Sequence, residues 1–459
     1  MVRFINSMPR FRAHAACQDF HRAGEAARRD VLTRRQMLKW GIGAGVTVYA
    51  ANMLPTQHLL GAAAAEAAAA PDAPILVSVF LPGGLDLLDT LMPLQQEGAL
   101  RDLRSGVSPA APLPLAGTSL GLHPSLARGP GGGLKGLFDR GQIGFLPGID
   151  YANPNLSHFA SRAFWETGMV SQQSVSGWLG RWLDRHGSAD NPLQGLSAGY
   201  SLSPTLRAVK APVASISSAY DAEMSMWSVW GDWGTAAVDA YAALSAGRAG
   251  PTSAGPASAA RAARLAHTVS QQLAPFRKKD DKSPDPLAGP VTYPAGNDTA
   301  DRLKVLAGLI AQPLGIRMAT VDVAGEFDTH EGQAQGLDRD LGAVGEALAT
   351  FQADLEARGV ANRVLTFVWS EFGRRPEANK SGGTDHGAGG IAWVQGPRAL
   401  GGVLTEYPSL TDLDREKNLK VTVDFRRVYS SLLAQWMGTD PAEVIPGAGQ
   451  FGQVALVRS

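Results

Sequence analysis

The chain has 459 residues, 44% of them hydrophobic and 18% charged, which is ample for a large core and ordinary in apolar content. Its formal net charge is zero and its pI is near 7.1, so composition gives no electrostatic case for nucleic acid or an acidic membrane surface. The one cysteine, Cys17, falls in an N-terminal leader, so the chain that follows forms no disulfide and suits an oxidising compartment without requiring one.

Thr33-Arg34-Arg35-Gln36-Met37-Leu38-Lys39 matches the twin-arginine export pattern, in which two arginines precede an apolar pair, a lysine and a mildly apolar region. Residues 40–60 supply that region, but Asn52, Pro55, Gln57 and His58 interrupt it too often for a spanning helix. The small residues of 62–70 suit signal peptidase, which places cleavage within 64–70; a retained N-terminal anchor is the alternative. Residues 1–70 are therefore assigned to the signal peptide and leader, and 71–459 to the mature domain. The expectation is a periplasmic or secreted protein, exported folded by the twin-arginine translocase and left with no stable membrane span.

The first mature strand is expected over 75–81, ending at Pro82-Gly83-Gly84-Leu85-Asp86. Glycines at a strand's end allow a sharp turn that delivers a carboxylate to the rim of a sheet, so Asp86 is either a metal ligand or the cap of the next helix. His123 reads as fixing a loop. A short helix over 134–140 and a strand over 142–147 follow. The run Asn155 to Gly168 carries start signals at Asn155 to Ser157 and a glycine stop, which makes it a helix. Ser157 in its first turn either caps the helix or sits where free N–H groups favour an anion. Trp178 and Trp182, four apart on an amphipathic helix over 177–185, pack on the sheet. Residues 187–300 are expected to form a helical or irregular insertion, with a strand-like run at 213–216, a Trp-rich stretch at 224–233, and Ala-rich helices near 236–246 and 257–273.

A helix over 299–311 and a strand over 315–323 restore the pattern, and the loop beyond it holds Asp328 and His330, two apart and able to face one ion. A long helix over 337–358 feeds a buried strand over 363–369. That strand stops at Ser370-Glu371-Phe372-Gly373-Arg374-Arg375-Pro376, and a polar loop returns through Thr384-Asp385-His386-Gly387 into a strand over 391–394. In an open α/β sheet ligands gather outside the carboxyl ends of the strands, where Glu371, Arg374, Asp385 and His386 would crowd. An amphipathic helix over 422–436 closes the chain.

Several motifs together resemble a twin-arginine-exported family catalogued as a domain of unknown function and related to alkaline phosphatases and sulfatases. They are Phe80-Leu-Pro-Gly-Gly-Leu-Asp86, Leu156-Ser157-His158-Phe159, Gly177-Trp178-Leu179, Glu326-Phe327-Asp328-Thr329-His330, Ser370-Glu371-Phe372-Gly373-Arg374 and Gly383-Thr384-Asp385-His386-Gly387. The resemblance implies an alkaline-phosphatase-like α/β fold, with a mainly parallel central sheet between helices and the site at its carboxyl edge. It implies metal ligation by Asp86, Asp328 and His330, and a nucleophile at Ser157. Two alignments remain for the last pair: Asp385-His386 together, or Glu371 at the strand end with His386, the second being preferred. Arg162 and Arg374 would assist at the developing charge. The sulfatase nucleophile pattern is not intact and no acid pair follows the first strand, so one site for a divalent ion (zinc, calcium, magnesium or manganese) is easier to supply than two. The expected function is a metal-dependent hydrolase of phosphate or sulfate esters; the alternative is a non-catalytic exported binding or assembly protein that keeps the fold.

Overall fold

The computed structural model describes residues 46–49 and 72–458, apart from 105, 110, 171–173, 218–264, 266–267 and 279–281. In chain order its strands are β1 (Val46–Tyr49), β2 (Ile75–Phe80), β3 (Leu91–Pro93), β4 (Leu113–Pro114), β5 (Leu120–Leu122), β6 (Ile143–Asp150), β7 (Gly195–Ala198) and β8 (Val213–Ile216). They continue with β9 (Met318–Asp322), β10 (Val364–Trp369), β11 (Gly373–Ala378), β12 (Thr384–Gly387), β13 (Gly390–Gln395), β14 (Gly402–Val403) and β15 (Val423–Asp424). Ten of these build one sheet in the order β1-β8-β7-β9-β2-β10-β13-β6-β14, with β15 also on β6. All pairs in it are parallel except β1 with β8 and the two made by β13.

Why β2 and β10 stand at the centre follows from their side chains. Ile75, Val77 and Val79 pack into one core, while Leu76 and Phe80 pack into another on the opposite face. In β10, Val364 and Val368 join the first core; Leu365, Phe367 and Trp369 join the second. A strand apolar on both faces is stable only between two layers, each buried Leu, Val or Phe contributing about 1.5–3 kcal/mol. The first layer includes the helices Asp298–Ile310 and Gln333–Ala357. The second includes Trp178–His186 and Phe425–Ser431, the latter running into a π-helical turn at Leu432–Trp436. Trp165 stacks on Trp369 with ring centroids 5.4 Å apart, and Trp178 on Tyr429 at 4.2 Å.

Three expectations change. The return loop after β10 contains an antiparallel hairpin, β11 with β12, which sets Arg374 opposite His386. Two short strands inside the expected insertion, β7 and β8, belong to the main sheet. Val46–Tyr49, placed in the leader by sequence, pairs antiparallel with β8 at the sheet's edge. The twin arginines, the Trp-rich stretch and the helix near 236–246 lie outside the described residues. Among those described, no helix is long and apolar enough to cross a membrane.

Candidate metal centre

Because β2, β9 and β10 are parallel neighbours, the loops after them open on one rim. Gly83 follows β2 with φ +110°, and a Cβ there would stand 2.3 Å from the Asp328 nitrogen, so only glycine lets these two loops touch. Gly383 is equally confined: its Cβ would lie 2.3 Å from the His330 carbonyl carbon. Arg374, fully buried, ties the loops together. Its guanidinium donates to the carbonyls of Gly83, Gly84 (3.0 Å), Thr384 (2.8 Å) and Phe327 (3.0 Å), and to Asp328 Oδ1.

Asp328 is where the histidines meet. His386 Nε2 lies 3.0 Å from Asp328 Oδ1, His330 Nε2 lies 3.1 Å from the same oxygen, and His158 Nε2 is 3.4 Å from Oδ2. The Nε2 atoms of His330 and His386 are 3.0 Å apart. Among the described residues, His158, Asp328 and His386 each offer a ligand atom within 4.8 Å of the others. Burial pushes the Asp328 carboxyl up, but hydrogen bonds from Arg374 and His386 and the charges of Arg374 and His330 outweigh it and hold it at about 2. It is therefore a carboxylate at any ordinary pH.

The far side of each ring is also held. His158 Nδ1 is 2.8 Å from Glu371 Oε1, His330 Nδ1 is 3.1 Å from Asp385 Oδ1, and His386 Nδ1 is 2.8 Å from the Leu156 carbonyl. The hydrogen bond to Glu371 holds the His158 imidazole above the usual histidine range, against the opposing effect of burial. Hydrogen bonds from Asn379 and His330 keep Asp385 below the usual carboxylate range. Glu371 itself is buried and accepts from the Gly83 nitrogen at 3.0 Å and the Gly84 nitrogen at 3.3 Å. It stands behind His158, on the side away from Asp328.

A family profile described as "Protein of unknown function (DUF1501)" matches residues 152–448. The chain belongs to this family. No match is found among curated proteins. All of His158, Asp328, His330 and His386 fall inside the DUF1501 region, whereas Asp86 lies before it.

Asp86 is committed elsewhere. Its Oδ1 accepts the Leu88 and Asp89 nitrogens, capping the short helix Leu87–Thr90, and its Oδ2 accepts Arg104 at 2.6 Å and Gln333 at 2.8 Å. With Thr384 Oγ1 also 3.3 Å from Oδ2, five donors stand around the roughly four lone-pair sites of a carboxylate, which leaves none for an ion. This corrects the metal role read from sequence in favour of the cap also weighed there. Arg162, expected at the reacting centre, bridges Glu166 and Asp322 at 2.7 Å each and lies over the Phe80 ring. Ser157 is the exposed N-cap residue of the helix His158–Thr167, and its hydroxyl makes no capping hydrogen bond.

In this DUF1501 chain His158 stands in the motif Leu156-Ser157-His158-Phe159, where the sequence alone assigns it no role at the site. The signal was present: His158, Ser161 and Trp165 recur at i, i+3 and i+7, one face of a helix. With Trp165 anchored in the core and Ser161 donating to the Glu371 carbonyl, that face turns His158 to the rim. The donor set fits a divalent ion, since imidazole nitrogens with one carboxylate are the usual ligands of zinc-like metals.

Proposed function

We propose that this DUF1501 chain is an exported, metal-dependent hydrolase of phosphate or sulfate esters. The observation that carries the reading is the convergence of His158, Asp328 and His386 on one point, with His158 following directly on an exposed serine that opens a ten-residue helix. A divalent ion in such a site supplies Lewis-acid polarisation of an ester oxygen and lowers the pKa of a nearby hydroxyl or water. The remaining work falls to the chain. Asp328, ionised and clamped by Arg374, and His386, pinned to the Leu156 carbonyl, hold their positions without reorganising when substrate arrives.

In this reading Ser157 Oγ forms the new bond to phosphorus or sulfur, the alcohol leaves with a proton, and water then releases the acid from the serine. Ser157 has no hydrogen-bonded duty in the fold that its removal would disturb, which makes it a clean test. Turnover of an aryl phosphate and an aryl sulfate is the assay. Ser157→Ala is expected to lose at least about 10³-fold in kcat with bound metal unchanged. Equal turnover by the variant would remove serine from the mechanism, and metal binding without any turnover would favour a binding module.

The export half rests on the twin arginines and the apolar region after them, with the translocase as the partner. Arg34→Lys with Arg35→Lys is expected to hold the protein inside the cell, as read by fractionation.

A further inference from the structure

Four residues of the leader complete the main sheet. Val46, Thr47, Val48 and Tyr49 stand opposite Ile216, Ser215, Ala214 and Val213, an antiparallel register without a slip. All four are of the β-branched and aromatic types that favour strands over helices, although they lie in the apolar region that follows the twin arginines. The edge they cover is one that needs covering. Val213–Ile216 contains no charge, proline or glycine and is buried throughout, with Val213 in one core and Ala214 and Ile216 in the other. Left open, such an edge is a template for another strand. The connection fits as well. Because β8, β7, β9 and β2 are parallel, Tyr49, opposite Val213, ends at the edge of the sheet where β2 begins. Four strand spacings of about 4.8 Å, roughly 19 Å in all, separate β1 from β2, and residues 50–74 are long enough to cross them.

We infer that the outer edge of β8 is a docking surface for the chain's own export leader, which occupies it as an extended strand in the precursor and must leave it before the translocase takes the leader up. The inference rests on the export half of the reading above. The mode is strand addition, in which main-chain hydrogen bonds give the affinity. A strand of four residues is too short to hold as a free peptide, so the contact depends on the tether, which sets the leader's effective concentration at about the millimolar level. Release follows from the backbone. The same N–H and C=O groups cannot pair with β8 and also satisfy one another as a helix in the membrane.

The test is a reversible cross-link in the full-length precursor. Thr47→Cys with Ser215→Cys, in a Cys17→Ala background that leaves no other thiol, sets two cysteines directly opposite each other at a separation a disulfide can span. Under mild oxidation this pair is expected to close in at least about ten times the yield of Thr47→Cys with Ser197→Cys, whose second cysteine is level with Ser215 but one strand farther, about 9.6 Å away. Equal yields, or none from the first pair, overturn the docking. A second reading needs no cysteine: Val48→Pro, which cannot keep its place in the ladder, should quicken amide exchange over 213–216, and unchanged protection also overturns the docking. Transport of the locked precursor into vesicles bearing the twin-arginine translocase should be lost and should return with a reductant. Locked precursor carried as fast as the reduced form overturns the release step. Failure of the unsubstituted precursor to be transported overturns the export reading and the release step with it, while the cross-link still decides whether the leader docks.

Discussion

Two polar clusters stand beside each other at this rim, and they do opposite things with similar residues. In one, Asp86 and Asp89 surround Arg104, wholly buried, and Gln333 donates to both carboxylates. Burial pushes the Asp89 carboxyl up, offset in part by Arg104. Every oxygen of Asp86 is used by the protein itself, so the cluster is a fastener: it joins the loop after β2 to the hairpin, through Arg104 on the Pro376 carbonyl at 2.8 Å. In the other, three imidazoles are held from behind and turn their second nitrogens toward Asp328. What separates the two is the chemistry of the partners: guanidinium, amide and backbone donors around Asp86, and around Asp328 imidazoles that can also ligate a metal.

That contrast can be broken by substitution. The largest effect is expected from Arg104→Ala, which strands two buried carboxylates and should cost about 3–5 kcal/mol of stability in denaturant unfolding. Whatever remains folded should still bind metal. The reverse pattern is expected of His386→Ala: a loss of at least about 100-fold in metal affinity, near 2.7 kcal/mol, with little change in the stability of the metal-free protein. If Arg104→Ala were harmless, or His386→Ala unfolded the chain, the division of labour would be wrong.

A third cluster sharpens the comparison. His123 is buried beside Ser125, and burial is the main reason its imidazole is lowered to about 4, with Arg128 adding to this and Asp338 opposing it. Its pKa is thus lower folded than unfolded, so the unfolded chain binds the extra proton first. The stability His123 lends as a neutral ring is present above its unfolded pKa and lost as pH falls from about 6.5 towards 4, on the order of 2 kcal/mol. His123→Asn keeps an acceptor for the Ser125 nitrogen and should flatten that part of the acid limb in thermal melts. The smallest effect belongs to Arg162→Gln. Its ion pairs with Glu166 and Asp322 are partly exposed, so a change below about 1 kcal/mol is expected, with metal content untouched.

How far the sequence carries depends on what holds each element. β2 and β10 are readable because a strand buried on both faces must be apolar throughout, and their limits are found almost to the residue. The hairpin is not, since Gly373-Arg-Arg-Pro-Glu-Ala378 has no strand pattern of its own and is held by Arg374 reaching onto β12 and into the loops after β2 and β9. Asp328, His330 and His386 stand out as metal-ligating types beyond strand ends, and the fold brings them together across the 56 positions from His330 to His386. Asp86 carries the same signal with a different outcome, because Arg104, eighteen residues on, claims its oxygens. Nothing local in the chain announces that partnership. Glu371 directly follows β10, which by sequence makes it a ligand candidate, and its side chain turns back onto the Gly83 and Gly84 nitrogens and the far nitrogen of His158.

The most direct measurement is elemental metal analysis of the full-length protein, purified without chelator, beside His386→Ala. A metal centre predicts about one zinc-like ion per wild-type chain and none in a variant that keeps its fold by circular dichroism. Wild-type protein free of stoichiometric metal, or a variant that retains as much as the wild type, would contradict it.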